Sequence, residues 1–333
     1  MHQQSRPDRA PTGLQRHRRV PRRHTIRIWH RGLARLVALP LIARAGDAFP
    51  PPEVLPLPPL VVAGQPARAH TQGLEIVGTA YYVTARREDL EPKRALLLRT
   101  SPGQKDWDSW DLTPEVRDPG GPGEDKPLLD HPGGFQMAGG KLWIPLAESR
   151  RRSRSLIRAY HLPDLKPNQP ARSVSEFAVD DHIGAVAVAA DQSVLVGASW
   201  DTETVYLWDR SGGLRRKLTG AALAGWGLGV AAGADGRAGL AVQDWKIVGD
   251  RLLASGLRQA RAGATSAAES WLVSLPAALT AGAPSAEILL PRPEGVSLAR
   301  EAMAVASGSV HFLPEDLGAT NRLFRFRLAA LGL

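Results

Sequence analysis

Residues 70–84 read HTQGLEIVGTAYYVT, and the fold is decided here. Residues 73–77 are short and mostly apolar, Gly78-Thr79 marks a tight turn, and residues 80–84 are rich in aromatic and β-branched side chains. Apolar strand, glycine turn and apolar strand predict a β-hairpin. The chain then repeats the pattern. His131 opens HPGGFQMAGGKLWIPL, His182 opens HIGAVAVAADQSVLVGA, Ala241 opens AVQDWKIVGDRLLASG and Ala299 opens AREAMAVASGSVHFLP. Leu74, Phe135, Val186, Trp245 and Met303 fall in one column as the first apolar anchor. The openings lie 61, 51, 59 and 58 residues apart. One antiparallel unit per period of that size predicts the blades of a β-propeller.

The rest of each repeat supports an all-β, five-bladed ring. Third strands are expected at 95–99, 155–161, 204–208, 270–274 and 322–327, and fourth strands at 107–112, 173–179, 214–218 and 286–290. The fifth repeat has no fourth strand of its own. The segment 49–60 is proline-rich (FPPPEVLPLPPL), and prolines, which cannot donate to a ladder, suit only an edge strand. Residues 57–63 are therefore expected to complete the last blade and close the ring. A six-bladed ring, with a degenerate blade inside 214–240, is the alternative.

At 333 residues and 43% hydrophobic content the chain can bury a sizeable core as one domain. Cysteine is absent, which excludes disulfides, thiolate metal sites, a cysteine nucleophile and a lipoprotein anchor. The net charge of +9 suggests nucleic acid until it is located. Residues 1–44 hold eleven Arg and a single acidic residue, Asp8; of the totals of 42 basic and 33 acidic side chains, 31 and 32 remain for the body. An electrically balanced body argues against a nucleic-acid groove.

Residues 1–48 read as a disordered, Arg-rich tail ahead of a single propeller domain at 49–333. Within the tail, Arg22-Arg23 precedes an apolar run at 36–42 and the small residues of Ala43-Arg44-Ala45. Positive flank, apolar run and small residues follow the order of an export signal, which predicts a periplasmic or extracellular location, with the cytoplasm as the alternative. No stretch approaches the ~18 apolar residues of a membrane-spanning helix.

Familiar catalytic motifs do not appear. Residues 134–141 (GFQMAGGK) miss phosphate-loop spacing by one residue and sit in a strand–turn–strand context. There is no G-x-S-x-G elbow and no H-E-x-x-H helix. One constellation stands out. Of the five histidines outside the tail, His70, His131 and His182 occupy the opening column of their repeats. In a propeller that column lies at the entrance to each innermost strand, near the axis. The small Ala241 and Ala299 in the other two repeats leave room there. Gln72, Gln243 and Glu301 stand two positions further on, with Gln136, Asp181, Asp244 and Arg300 close by. Three imidazoles around an open side can hold a divalent metal (Zn, Mn or Fe) that activates water, with Glu301 as general base. The same groups without a metal make a pocket for a small polar ligand, in which Gln72, Gln136, Asp181, Gln243, Asp244 and Arg300 would bind. Histidines that merely cap backbone groups of a neighbouring blade are the structural alternative.

Thr71-Gln72-Gly73-Leu74 and Trp226-Gly227-Leu228 resemble short motifs of the glutaminyl cyclotransferases of the five-bladed propeller type. The resemblance covers seven residues and the repeat plan. It implies a five-bladed fold and cyclisation of N-terminal glutamine assisted by a carboxylate. His70 stands where that family has an aromatic, and Gly133-Gly134 where it has Glu-Gly. The chain also looks like secreted bacterial propeller proteins of uncharacterised family. Three functions follow as expectations: an extracytoplasmic propeller binding a small polar ligand or a metal ion, an enzyme (a metal-assisted hydrolase or lyase, or a divergent cyclotransferase), and a protein-interaction scaffold.

Overall fold

Each predicted hairpin forms, and each is the inner half of a blade. The computed structural model describes residues 41–43, 50–114, 129–167, 169–229, 238–259, 268–280 and 283–333. Blade one is the antiparallel sheet Ala69–Val77, Ala80–Arg87, Arg94–Thr100 and Asp108–Asp111. Blade two has an inner strand in two pieces, His131–Pro132 and Gln136–Ala138, both paired with Lys141–Ala147; Ser155–His161 and Ser175–Val179 follow. Blade three is Ile183–Val188, Leu195–Ser199, Thr204–Trp208 and Leu214–Thr219. Blade four is Ala241–Val248, Arg251–Arg258, Glu269–Pro276 and Ala286–Leu289. Blade five takes Ala302–Ala306, Ser309–Leu313 and Asn321–Arg327 from the chain's end. Its fourth strand is Glu53–Leu57, antiparallel to Asn321–Arg327 with Leu55 opposite Leu323.

An N-terminal strand thus closes a five-bladed ring. The strand is Glu53–Leu57 rather than 57–63, however. Leu57 is the residue the two ranges share, and it is buried between blades five and one. Val61–Val62 instead pairs with Gln65–Pro66 in a two-stranded ladder of its own. Pro56 is tolerated because Glu53–Leu57 is the outermost strand of its sheet. The six-bladed alternative fails at Leu214–Thr219, which is the fourth strand of blade three and is followed by a one-turn helix, Ala221–Ala224. Leu41–Ala43, the end of the apolar run read as an export signal, pairs in parallel with Ala286–Leu289 of blade four. This places three residues of the expected tail in the sheet; the rest of 1–48, with Arg22 and Arg23, lies outside the described residues.

The core is divided in the same way as the ring. Five apolar clusters fill the five interfaces between neighbouring blades. Between blades one and two, for example, Tyr82, Leu97 and Trp110 meet Phe135, Leu142 and Tyr160. Innermost strands touch their neighbours all the way round. Glycine permits close approach at the axis: a Cβ on Gly134 would sit 2.5 Å from Asp244 Oδ1, so only a bare backbone fits there. Among the described residues no helix is long and apolar enough to cross a membrane.

Candidate functional site

The inner strands are not regular where they enter the ring. Register shifts fall between Thr71 and Gly73, between Ile183 and Ala185, and between Val242 and Asp244. The extra residues are Gln72, Gly184 and Gln243, the same repeat position in three blades. A β-bulge breaks the alternation of side chains and re-aims the residue it carries. Here it turns Gln72 and Gln243 into a cavity of about 270 Å³ at the mouth of the axis. All five blades contribute to its wall: His70 and Gln72 from one, His131 from two, His182 and Gly184 from three, Val242 and Gln243 from four, and Glu301 from five. The hairpin end of blade three adds Ser199, Trp200 and Asp201.

His70, His131, His182, Gln72, Gln243 and Glu301, placed near the axis by the repeat alone, therefore line one cavity. Four of the other expected ligand-binding residues are used elsewhere. Asp244 is fully buried below the cavity. Its Oδ2 accepts from the backbone N–H of Leu74 (3.3 Å) and Met303 (3.0 Å), and its Oδ1 from Trp245 N–H (2.8 Å) and the Lys246 ammonium (2.5 Å). Gln136 Oε1 accepts from Val188 and Ile247 N–H, while its Nε2 donates to the Ile247 carbonyl. Both residues tie inner strands together, and neither lines the cavity. Asp181 accepts from the Tyr206 hydroxyl at 2.9 Å and from the N–H of His182. Arg300 is 60% exposed and reaches the site only through Glu301, 3.3 Å from Oε1.

The three histidines differ in their partners. His182, 2% exposed, donates from Nδ1 to the carbonyls of Glu148 (2.8 Å) and Arg150 (3.1 Å), as the capping reading expects. Burial depresses its pKa against those acceptors. The His131 ring packs edge-on to His182, 5.1 Å between centroids, and Trp200 packs against both. His131 Nδ1 is buried without a hydrogen bond, and burial, then the neighbouring His182, holds its pKa well below the usual histidine value. His70 is the opposite case. Its Nδ1 lies 2.7 Å from Asp316 Oδ1, and that hydrogen bond raises its pKa against the effect of burial. His70 Nε2 faces Glu301 Oε2 at 3.9 Å. Burial pushes the Glu301 carboxyl up to about 7, with His70 and Arg300 opposing.

The expected tri-histidine ligand set does not converge as ligands. Among the described residues, the one group of three His and carboxylate side chains whose ligand atoms all lie within 4.8 Å of one another is His70, Glu301 and Asp316. Asp316 was not legible from the repeat, because it sits in the loop after the inner hairpin of blade five. Trp200 was missed for a similar reason: it occupies a single turn, Trp200–Thr202, outside the strands of blade three. Arg151 lies 5.8 Å over its ring and pairs with Asp201 at the rim. Of the cyclotransferase-like motifs, Gln72 reaches the cavity, whereas Trp226 and Leu228 are buried between blades three and four.

A search of curated proteins finds no match to this sequence. Among solved structures, a bifunctional GH43-CE protein from Bacteroides eggerthii is similar at 12% identity over 74% of this chain and 32% of its own, TM-score 0.47. This chain thus spans about a third of that protein. A glycosyl hydrolase from Bacteroides ovatus is similar at 11% identity, 78% and 84% coverage, TM-score 0.42. The β-propeller domain of the Trilobed protease from Pyrococcus furiosus is similar at 11% identity, 79% and 69% coverage, TM-score 0.32. The profile of one sequence family, DUF6454, a family of unknown function, matches residues 62–268.

Proposed function

The chain belongs to the DUF6454 family, a family of unknown function, and we propose that its axial cavity binds a small polar ligand. One observation carries the reading. Two bulged inner strands and the entrance to blade five turn Gln72, Gln243 and Glu301 into one space. Among the described residues, Gln72 and Gln243 make no hydrogen bonds to other blades of the kind that occupy Gln136 and Asp244, and Glu301 meets blade one only through His70 Nε2 at 3.9 Å. Binding sites combine a preformed concavity with a few convergent polar groups, and strongly shifted carboxyl groups gather in them. At about 270 Å³ the cavity falls below the ~300–1,000 Å³ of sites for drug-sized molecules, so its occupant is small. Amide groups of Gln72 and Gln243 supply both donors and acceptors, and Trp200 offers an apolar edge, which suits a hydroxylated or amide-bearing compound. Binding, without an assigned reaction, is what these groups support. The order of positive flank, apolar run and small residues over 22–45 supports an extracytoplasmic location for it.

The test is a thermal-shift panel of sugars, polyols, amino acids and small dicarboxylates against the parent and a Gln72→Ala/Gln243→Ala variant. A compound that raises the melting temperature of the parent and not of the variant is the expected result. A panel in which every shift is shared by the variant contradicts the reading.

A further inference from the structure

We infer that the wall of this cavity holds a divalent transition-metal ion between His70 and Glu301, with Asp316 on the other side of the imidazole. The inference rests on the proposed function only for the choice of cavity. Asp316 Oδ1 lies 2.7 Å from His70 Nδ1. A proton held there leaves Nε2 as a lone pair facing the cavity. Metal-binding histidines carry a carboxylate on their second nitrogen for this reason: it fixes the ring and raises its basicity. His70 Nε2 and Glu301 Oε2 are 3.9 Å apart. That is too long for a hydrogen bond, yet two metal bonds of ~2.0–2.2 Å span it.

Glu301 supplies an independent reason. It is 7% exposed and lines the cavity, yet Oε2 meets no N–H or O–H among the described residues. Its other oxygen has the Arg300 Nε at 3.3 Å. Ionising a carboxyl this deeply buried is costly, and a cation on the oxygen that faces the cavity offsets that cost. The remaining positions of the ion face the cavity, toward Gln72 and Gln243, and stay open to water or ligand. One imidazole with a carboxylate and no thiol suits Mn²⁺, Fe²⁺ or Zn²⁺ and disfavours Cu⁺.

The experiment uses the full chain without an affinity tag, stripped with chelator, desalted and titrated with MnCl₂, free Mn²⁺ being read by electron paramagnetic resonance. One bound equivalent is expected in the parent and none in Glu301→Gln. Asp316→Asn, changed at a half-exposed carboxylate, should bind ~10–100-fold more weakly. Melting curves check that each variant is folded. If Glu301→Gln does not fold, Asp316→Asn decides alone. No bound equivalent in the parent overturns the inference, as does affinity unchanged in either variant; histidines elsewhere in the chain would give that last result. Repeating the polar-ligand panel on metal-free protein separates the two readings. Ligand binding without any Mn²⁺ site removes the metal and keeps the cavity. A Mn²⁺ site with an unresponsive panel keeps the metal and removes the polar ligand.

Discussion

Two polar clusters lie along the axis of this propeller, and they are built on opposite plans. The lower one contains Asp244, Lys246, Glu75 and Gln136. Asp244 takes four hydrogen bonds from blades one, four and five. Gln136 takes two and gives one across blades two, three and four. Glu75 accepts from Ile76 and from Met137 in the next blade. The upper cluster lines the mouth. There, among the described residues, Gln72 and Gln243 are not tied to another blade by a hydrogen bond, His131 Nδ1 is without a partner, and Glu301 meets blade one only through His70 at 3.9 Å. Adjacent residues, Gln243 and Asp244, belong to different clusters. Polarity on the axis therefore does not mark a site. A satisfied network is structural glue, and the groups left open beside the cavity are those the proposed ligand would meet.

The largest effect is expected at Asp244. Asp244→Leu strands a buried ammonium, that of Lys246, and two backbone N–H groups from blades one and five. Breaking a buried pair from one side costs ~3–5 kcal/mol, so urea unfolding should show a loss of that size. A loss below ~1 kcal/mol would mean that the lower cluster does not hold the ring. Gln136→Ala comes next. It orphans the N–H groups of Val188 and Ile247 at ~1–3 kcal/mol each, read in the same way.

A pH experiment sharpens the contrast from the other side. Burial pushes the Glu75 carboxyl up to about 7, against Lys246, with Asp244 adding to the rise. The folded protein thus holds a proton between the unfolded value near 4.5 and about 7 that the unfolded chain has released. On this group's account, stability falls as pH rises through that window. Glu75→Gln should flatten the slope and gain stability relative to the parent at pH 8, on the order of 1–3 kcal/mol. An unchanged slope between pH 4.5 and 7 would show that Glu75 is ionised throughout. The smallest stability effect is expected at the mouth. Gln243→Ala should stay within ~0.5 kcal/mol of the parent, because its amide holds no other strand.

The same contrast explains what the sequence made legible. The five hairpins are readable because each inner strand needs an apolar anchor and each is followed by a short link of small or polar residues, with glycine in every blade but the third. His70, His131, His182, Gln72, Gln243 and Glu301 follow from that register. Asp244 and Gln136 were misplaced because direction across a bulge cannot be read from alternation, and the bulges are not written in the residue types. The closing strand slid from 57–63 to Glu53–Leu57 because a proline-rich edge segment has little alternation to fix its register. Its partners settle it: the amide of Asn321 donates to the Pro58 carbonyl at 2.6 Å and anchors the chain just past Leu57. Asp316 and Trp200 come from loops outside the repeat and had no column in which to be found.

The central claim is that the mouth of the axis, and not the network beneath it, is the binding site. The most direct test is isothermal titration of the best compound from the thermal-shift panel into the parent and into Gln72→Ala/Gln243→Ala, with urea unfolding of both proteins. The account predicts one site in the parent, affinity at least ~100-fold weaker in the double variant (about 2.7 kcal/mol), and matching unfolding curves. Equal affinities in the two proteins would contradict it.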